Sequence, residues 1–267
     1  MLPTANGRSA TVAVVTLFLC LALGVPAHAF TVTVRVDGPD AIFLAGRTDL
    51  TIPPASSSWP GGLLRHPNPT PEEALERLPP TIAVHAGDVI RVLDPAIGGI
   101  NFYNGFGPPF FGPEGGGSGR TDLSAFGGIS GFLADSQGPL VGVFLDNNVP
   151  NGTAPARLDF TNGGLGTNFT TLSPGLGQVF FIGDGVTSNG TLQQFIAPAG
   201  ATRLAFGIPD GFGFVGKPGA YDDNDGFYQI RVGINSIPSP VPEPRAALLL
   251  VLAALALLLR PRAARGA

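Results

Sequence analysis

The stretch Phe30-Thr-Val-Thr-Val-Arg-Val36 alternates apolar and polar residues without a break. A period of two is the signature of a β-strand with one buried face. Thr81–Val84, Val89–Val92, Leu140–Leu145 and Phe227–Val232 are further short runs of strand character. Clusters of glycine, proline, asparagine and aspartate separate them, which is strand-and-turn punctuation. Asp37-Gly-Pro-Asp40 reads as a turn, and Ala41–Ala45 after it as one more apolar strand. One short helix is predicted over Thr70–Leu78, with Thr70 as N-cap, Pro71 at the first helical position and Glu73 completing a capping box. Many short strands with almost no helix predict an all-β chain, an antiparallel β-sandwich.

The two ends are of another kind. Arg8 precedes an apolar run from Val12 to Leu23, and Ala27-His28-Ala29 follows with the small residues that signal peptidase requires. Residues 1–29 therefore read as a secretory signal, cleaved after Ala29. The only cysteine, Cys20, leaves with it. The mature chain then has no disulfide, no thiolate metal site and no cysteine nucleophile. At the other end an unbroken apolar run, Ala246–Leu259, is followed by Arg260, Arg262 and Arg265. The arginines predict a cytoplasmic end for a short membrane span, with the rest of the mature chain outside. Asn235–Pro244 reads as a stiff proline-rich linker, its core at 237–241.

Val241-Pro242-Glu243-Pro244, the apolar run and the basic tail, in that order, resemble the PEP-CTERM sorting signal over residues 242–267 and the valine before them. The resemblance implies recognition by an exosortase in a Gram-negative bacterium that makes extracellular polysaccharide. The protein would be held in the inner membrane before sorting, then pass to the cell surface or extracellular matrix.

Residues 30–236 are the working part. Without Arg8, and without the tail's four arginines and one glutamate, ten basic and eighteen acidic residues remain, a net charge near −8. Such a balance excludes nucleic acid as a partner and favours cations. The acids are concentrated at Tyr221-Asp-Asp-Asn-Asp-Gly226, just before the last predicted strand. Consecutive oxygen donors on a tight turn suit calcium, which takes 6–8 oxygens in irregular geometry. EF-hand spacing does not fit, because the twelfth position would be Val232. An exposed aspartate-rich turn is the other reading of the same residues.

Thr191–Asp210 followed by this loop is similar to the galactose-binding domain of bacterial PA-I-type lectins. Ala86–Val92, Gly112-Pro-Glu-Gly115 and Gly138–Val143 fall in the matching order, so that the resemblance spans about residues 80–234. It implies a calcium-containing jelly-roll sandwich, with Asp210, Asp223 and Asn224 as side-chain ligands and Ala220 donating its carbonyl. The family's sugar-holding histidine and glutamine are missing from the loop GPEGGGSGRTDLSAFGG. Calcium can still take sugar hydroxyls, so an extracellular polysaccharide is the expected partner. A structural surface protein, with calcium only pinning loops, is the alternative.

Catalysis finds little support. His66 and His85 lie outside any metalloprotease motif, and no G-x-S-x-G elbow occurs. A polysaccharide hydrolase would need two opposed carboxylates, and no catalytic residue is assigned. The Asn-x-Thr triplets at 151, 168 and 189 read as turns. The five aromatic residues of Phe102–Phe111 are expected to cap one end of the sandwich.

Overall fold

A computed structural model describes residues 29–55, 57, 65, 75–103 and 110–237. The signal segment, the PEP-CTERM-like tail, His66 and most of the expected helix lie outside the described residues. Among the described residues no helix is long and apolar enough to cross a membrane.

The described chain is all-β. Fourteen strands run in order: β1 (Phe30–Asp37), β2 (Thr81–Ala83), β3 (Val89–Val92), β4 (Ile97–Asn101), β5 (Thr121–Leu123), β6 (Phe132–Ala134) and β7 (Val141–Leu145). Then come β8 (Asp159–Phe160), β9 (Thr171–Leu172), β10 (Val179–Phe181), β11 (Gln194–Ile196), β12 (Arg203–Gly207), β13 (Val215–Gly216) and β14 (Asp225–Ile234). One sheet has the order β1-β14-β3-β11-β9, with β4 also on β14; a second has the order β10-β7-β12-β2; a third β13-β5-β6-β8. The strands expected at Phe30–Val36, Thr81–Val84, Val89–Val92, Leu140–Leu145 and Phe227–Val232 are present, within a few residues at their ends. The expectation of purely antiparallel pairing is corrected, because β11–β9, β13–β5 and β6–β8 run parallel. Each of these ladders pairs only two residues, at the margins of the sheets.

β1 pairs along its whole length with β14, from Phe30 opposite Ile234 to Asp37 opposite Phe227. The first and last strands thereby close 200 residues into one body. Its core is built on phenylalanine. Phe144 of β7 stacks on Phe180 of β10 with ring centres 5.1 Å apart, and Phe180 meets Phe195 of β11 at 5.3 Å, linking two sheets. Phe181 meets Phe160 of β8 at 6.1 Å, and Phe160 stacks on Phe132 of β6 at 5.7 Å, which brings in the third. Such pairs contribute about 0.5–1.5 kcal/mol each beyond their buried area. The arrangement is consistent with a sandwich held without disulfides.

Two local expectations fail. Ile42–Leu44 is a 3-10 turn rather than a strand, closed by Leu44 N–H to Ala41 O and Ala45 N–H to Ile42 O. Every residue of Ala41–Ala45 is fully buried, so the run is apolar because it plugs the core from all sides. The described end of the expected helix, Leu75–Leu78, is not helical. Arg77 instead forms a parallel bridge with Asp40, and Glu76 is buried against Arg65, whose guanidinium also reaches the carbonyls of Pro53, Pro54 and Ser57. Tertiary pairing of Glu76 and Arg77 takes these last residues out of the expected helix; the capping box itself, Thr70 to Glu73, lies outside the described residues.

Candidate functional site

The acidic loop leads into the strand as expected, but it is not an exposed turn. Asp222 and Asn224 are buried, and Tyr221–Asp223 forms a 3-10 turn. The turn begins at Ala220 with φ +60°, a left-handed conformation that costs a residue with a Cβ about 1 kcal/mol. Just past the turn lies Gly226, the second residue of β14, φ +91°, where a Cβ would come within 2.2 Å of the Gly99 carbonyl of β4. Only glycine allows β14 to run beside β4 at this point.

Asp210 is brought to this turn by the phenol of Tyr221. That hydroxyl donates to the Ile208 carbonyl at 2.8 Å and accepts from the Asp210 N–H at 3.2 Å. Gly219 N–H donates to the Asp210 carbonyl, and Asp210 Oδ1 accepts from the Gly211 N–H at 2.6 Å. Asn224 bonds the Asp210 carboxyl with its side chain and donates from Nδ2 to the Gly38 carbonyl at 3.1 Å. The four residues that the lectin resemblance names, Asp210, Ala220, Asp223 and Asn224, thus lie together, although they come from two loops.

Two oxygens at this point have no hydrogen-bond partner and no access to water: Asp210 Oδ2 and Asn224 Oδ1. Each residue is only 2% exposed. A buried acceptor left unmatched costs about 1–3 kcal/mol. Burial first, and then the charge of Asp223, push the Asp210 carboxyl well above the ordinary carboxylate range. Hydrogen bonds from Asn224 and Gly211 pull the other way, and no basic side chain acts on it. The donor set is all oxygen, from carboxylates, an amide and a backbone carbonyl, which is the chemistry of a hard cation. Among the described residues no group of three or more histidine, cysteine or carboxylate side chains is placed to hold a metal ion.

Asp210, Ala220 and Asp223 line a cavity of about 300 Å³. Its other walls are Phe102 and Tyr103, which follow β4, the Phe212–Phe214 turn, and Gln137. Tyr103 and Phe212 are about half exposed at its mouth. The aromatic run after β4 is therefore split: Phe102 is buried, packing edge-on against Phe214 at 5.3 Å, while Tyr103 and Phe110 face solvent. The Gly211–Gly219 segment, which makes this loop long, supplies one wall.

The position of Gln137 depends on the glycine run. Gly116 and Gln137 exchange two backbone hydrogen bonds, at 2.9 and 3.0 Å. A Cβ on Gly117 would come within 2.0 Å of Gln137 Oε1, the atom that accepts from the Tyr103 hydroxyl at 3.3 Å. Sequence reasoning noted the glycines and the missing glutamine of the loop, but missed Gln137, which lies beyond it. Glu114 of the Gly-Pro-Glu-Gly stretch is turned elsewhere: it accepts from the Asp184 N–H at 2.8 Å and, with Asp135, lines a separate cavity of about 170 Å³. Asp37 and Asp40 form the expected turn, with Asp40 Oδ2 accepting from the Asp37 N–H.

No protein-family model, no curated protein and no solved structure matches this chain.

Proposed function

We propose that this chain is an exported envelope protein, sorted through its PEP-CTERM-like tail by an exosortase, whose jelly-roll sandwich binds calcium and presents a cavity to extracellular polysaccharide. The observation that carries the reading is the pair of buried, unmatched oxygens on Asp210 and Asn224, set among carboxylates beside an open cavity. Asp210, Asp223, Asn224 and the Ala220 carbonyl would hold the ion. Calcium would bring a positive charge to the Asp210 carboxyl and open positions for hydroxyl oxygens. Around it, Tyr103 and Phe212 offer ring faces and Gln137 an amide to a hydroxyl-rich ligand. This is not the histidine–glutamine pair of the lectins, so galactose specificity is not implied.

The test is calorimetric titration of calcium into the mature domain, followed by a glycan array with and without chelator. Saturable calcium binding that Asp223→Ala abolishes, with chelator-sensitive glycan retention, is expected. Calcium binding without any glycan retention would favour the structural alternative. Release of sugar from a bound polysaccharide would instead reveal a hydrolase.

A further inference from the structure

Glu114 takes no part in the Asp210 cluster, yet two glycine turns are built around it. One turn is closed by the Gly115 N–H on the Gly112 carbonyl, the other by the Gly185 N–H on the Ile182 carbonyl. Pro113 O accepts from the Leu140 N–H at 2.8 Å, and Leu140 O accepts from the Gly183 N–H at 3.0 Å. The Asp184 N–H then donates to Glu114 Oε1 at 2.8 Å. Pro113, Leu140, Gly183, Asp184 and Glu114 form a closed circuit, in which Glu114 is the one side-chain link. Gly183 permits the closure: its φ is +58°, and a Cβ there would come within 1.9 Å of Glu114 Oε1. Glu114 is exposed as a residue, but its carboxyl end is packed against Gly183, beside the Phe181 ring.

The circuit brings two carboxyls together. Asp184 is fixed by its own turn, its Oδ1 accepting from the Val186 N–H at 3.0 Å, and its carboxyl lies within hydrogen-bonding reach of the Glu114 carboxyl. Asp135 lines the same cavity and accepts from the Asn162 N–H at 2.7 Å; the phenol of Tyr228 on β14 feels the charge of Glu114. Among the described residues no basic side chain acts on Glu114. Two carboxylates in contact repel, whereas one proton between them removes the repulsion and adds a strong hydrogen bond. Burial of the Glu114 carboxyl first, and then the charge of Asp184, push it up to about 7 against the pull of the Asp184 N–H.

We propose that Glu114 and Asp184 share one proton and act as an acid-held latch on the loop that supports Gln137. Gly116, on that loop, exchanges two backbone hydrogen bonds with Gln137, whose Oε1 accepts from Tyr103 at the cation cavity. With the proton in place the circuit is closed. With both carboxyls ionised it loosens, and Gln137 loosens with it. The folded chain holds this proton more tightly than the unfolded chain, whose glutamates titrate near 4.5. The stabilisation is therefore full below that value and is lost as pH rises to about 7.

The chain has five glutamates, at 72, 73, 76, 114 and 243. Glutamate-selective 13C labelling of the full chain in detergent micelles therefore gives few carboxyl signals, and Glu114→Gln identifies the one that matters. In EDTA its midpoint is expected near 7, and the Gln137 side-chain amide signal should move at the same midpoint. In Glu114→Gln, whose amide donates to Asp184 at every pH, the Gln137 signal should stay still. Asp184→Asn should weaken the hold of Glu114 on its proton at least about tenfold. A Glu114 midpoint at or below 4.5 overturns the proposal, and so does a Gln137 signal that ignores the titration. A midpoint that falls when calcium replaces EDTA overturns it as well, since the pair would then seat a cation. None of these signals requires the Asp210 cluster to hold a metal.

Discussion

The two ends of β14 solve the same problem in different ways. Each carries a residue with a Cβ in the left-handed region, Ala220 at one end and Asn235 at the other. Each gathers polar groups against the core. At the exit, the Asn235 amide is satisfied on both its oxygen and its nitrogen, and Asp88 accepts from Asn235 and from the His85 N–H. At the acidic end, the Asp210 carboxyl uses one oxygen and the Asn224 amide donates, but Asp210 Oδ2 and Asn224 Oδ1 find nothing. A polar cluster that serves only to hold the fold matches its own groups. The acidic end leaves two acceptors of Asp210 and Asn224 unmatched, which is what the calcium proposal would explain.

The sharpest way to break this comparison is to damage the self-sufficient end. Asn235→Ala strands the Val89 N–H and half of the Asp88 bonding, so urea denaturation should show a loss of ~2–4 kcal/mol. Calcium should not repair it; equal rescue at both ends would erase the distinction. Asp40 gives a pH test of the loop that abuts Asn224. Its carboxyl is buried and pushed up to about 6 by that burial. Because the folded-state value is raised, its stabilisation is full below the unfolded value near 3.8 and is lost as pH rises through about 6. Wild-type stability should fall by ~2–3 kcal/mol between pH 4 and 7 relative to Asp40→Asn, at ~1.4 kcal/mol per unit. Parallel profiles would show that Asp40 does not hold its proton.

Smaller effects probe the acidic end directly. Tyr221→Phe removes the hydroxyl that joins Ile208 to Asp210, and should cost ~1–2 kcal/mol in thermal melts. It should also weaken calcium binding in calorimetry, since Asp210 loses its support; unchanged affinity would show that the loop is held by other means. Ala220→Gly should stabilise by ~0.5–1 kcal/mol by relieving the left-handed strain. Calcium affinity should persist, because the proposed donor at 220 is the backbone carbonyl.

Much of this was legible in the sequence, and the reasons differ by region. Alternation located β1, and short runs of strand character bounded by turn residues located β2, β3, β7 and β14. The apolar run Ala41–Ala45 misled, because burial on every side looks the same in a strand and in a turn. The described end of the helix expected at Thr70–Leu78 is not helical, because Glu76 and Arg77 are committed to Arg65 and Asp40, partners that no local pattern reveals. The acidic loop announced itself by composition. The cavity beside it did not, because Tyr103, Gln137 and Phe212 arrive from three loops far apart in the chain. Only the glycines at 115–119 hinted at close packing, and nothing in them named Gln137.

The most direct test of the central claim is the melting temperature of residues 30–236 in EDTA and under titrated calcium, with Asp223→Ala beside it. An ion at 100 times its Kd adds about 2.7 kcal/mol to the folded state. The account predicts a rise of several degrees with calcium that Asp223→Ala removes. A melting temperature indifferent to calcium in the unmodified domain would contradict it, and the oxygens of Asp210 and Asn224 would need another explanation.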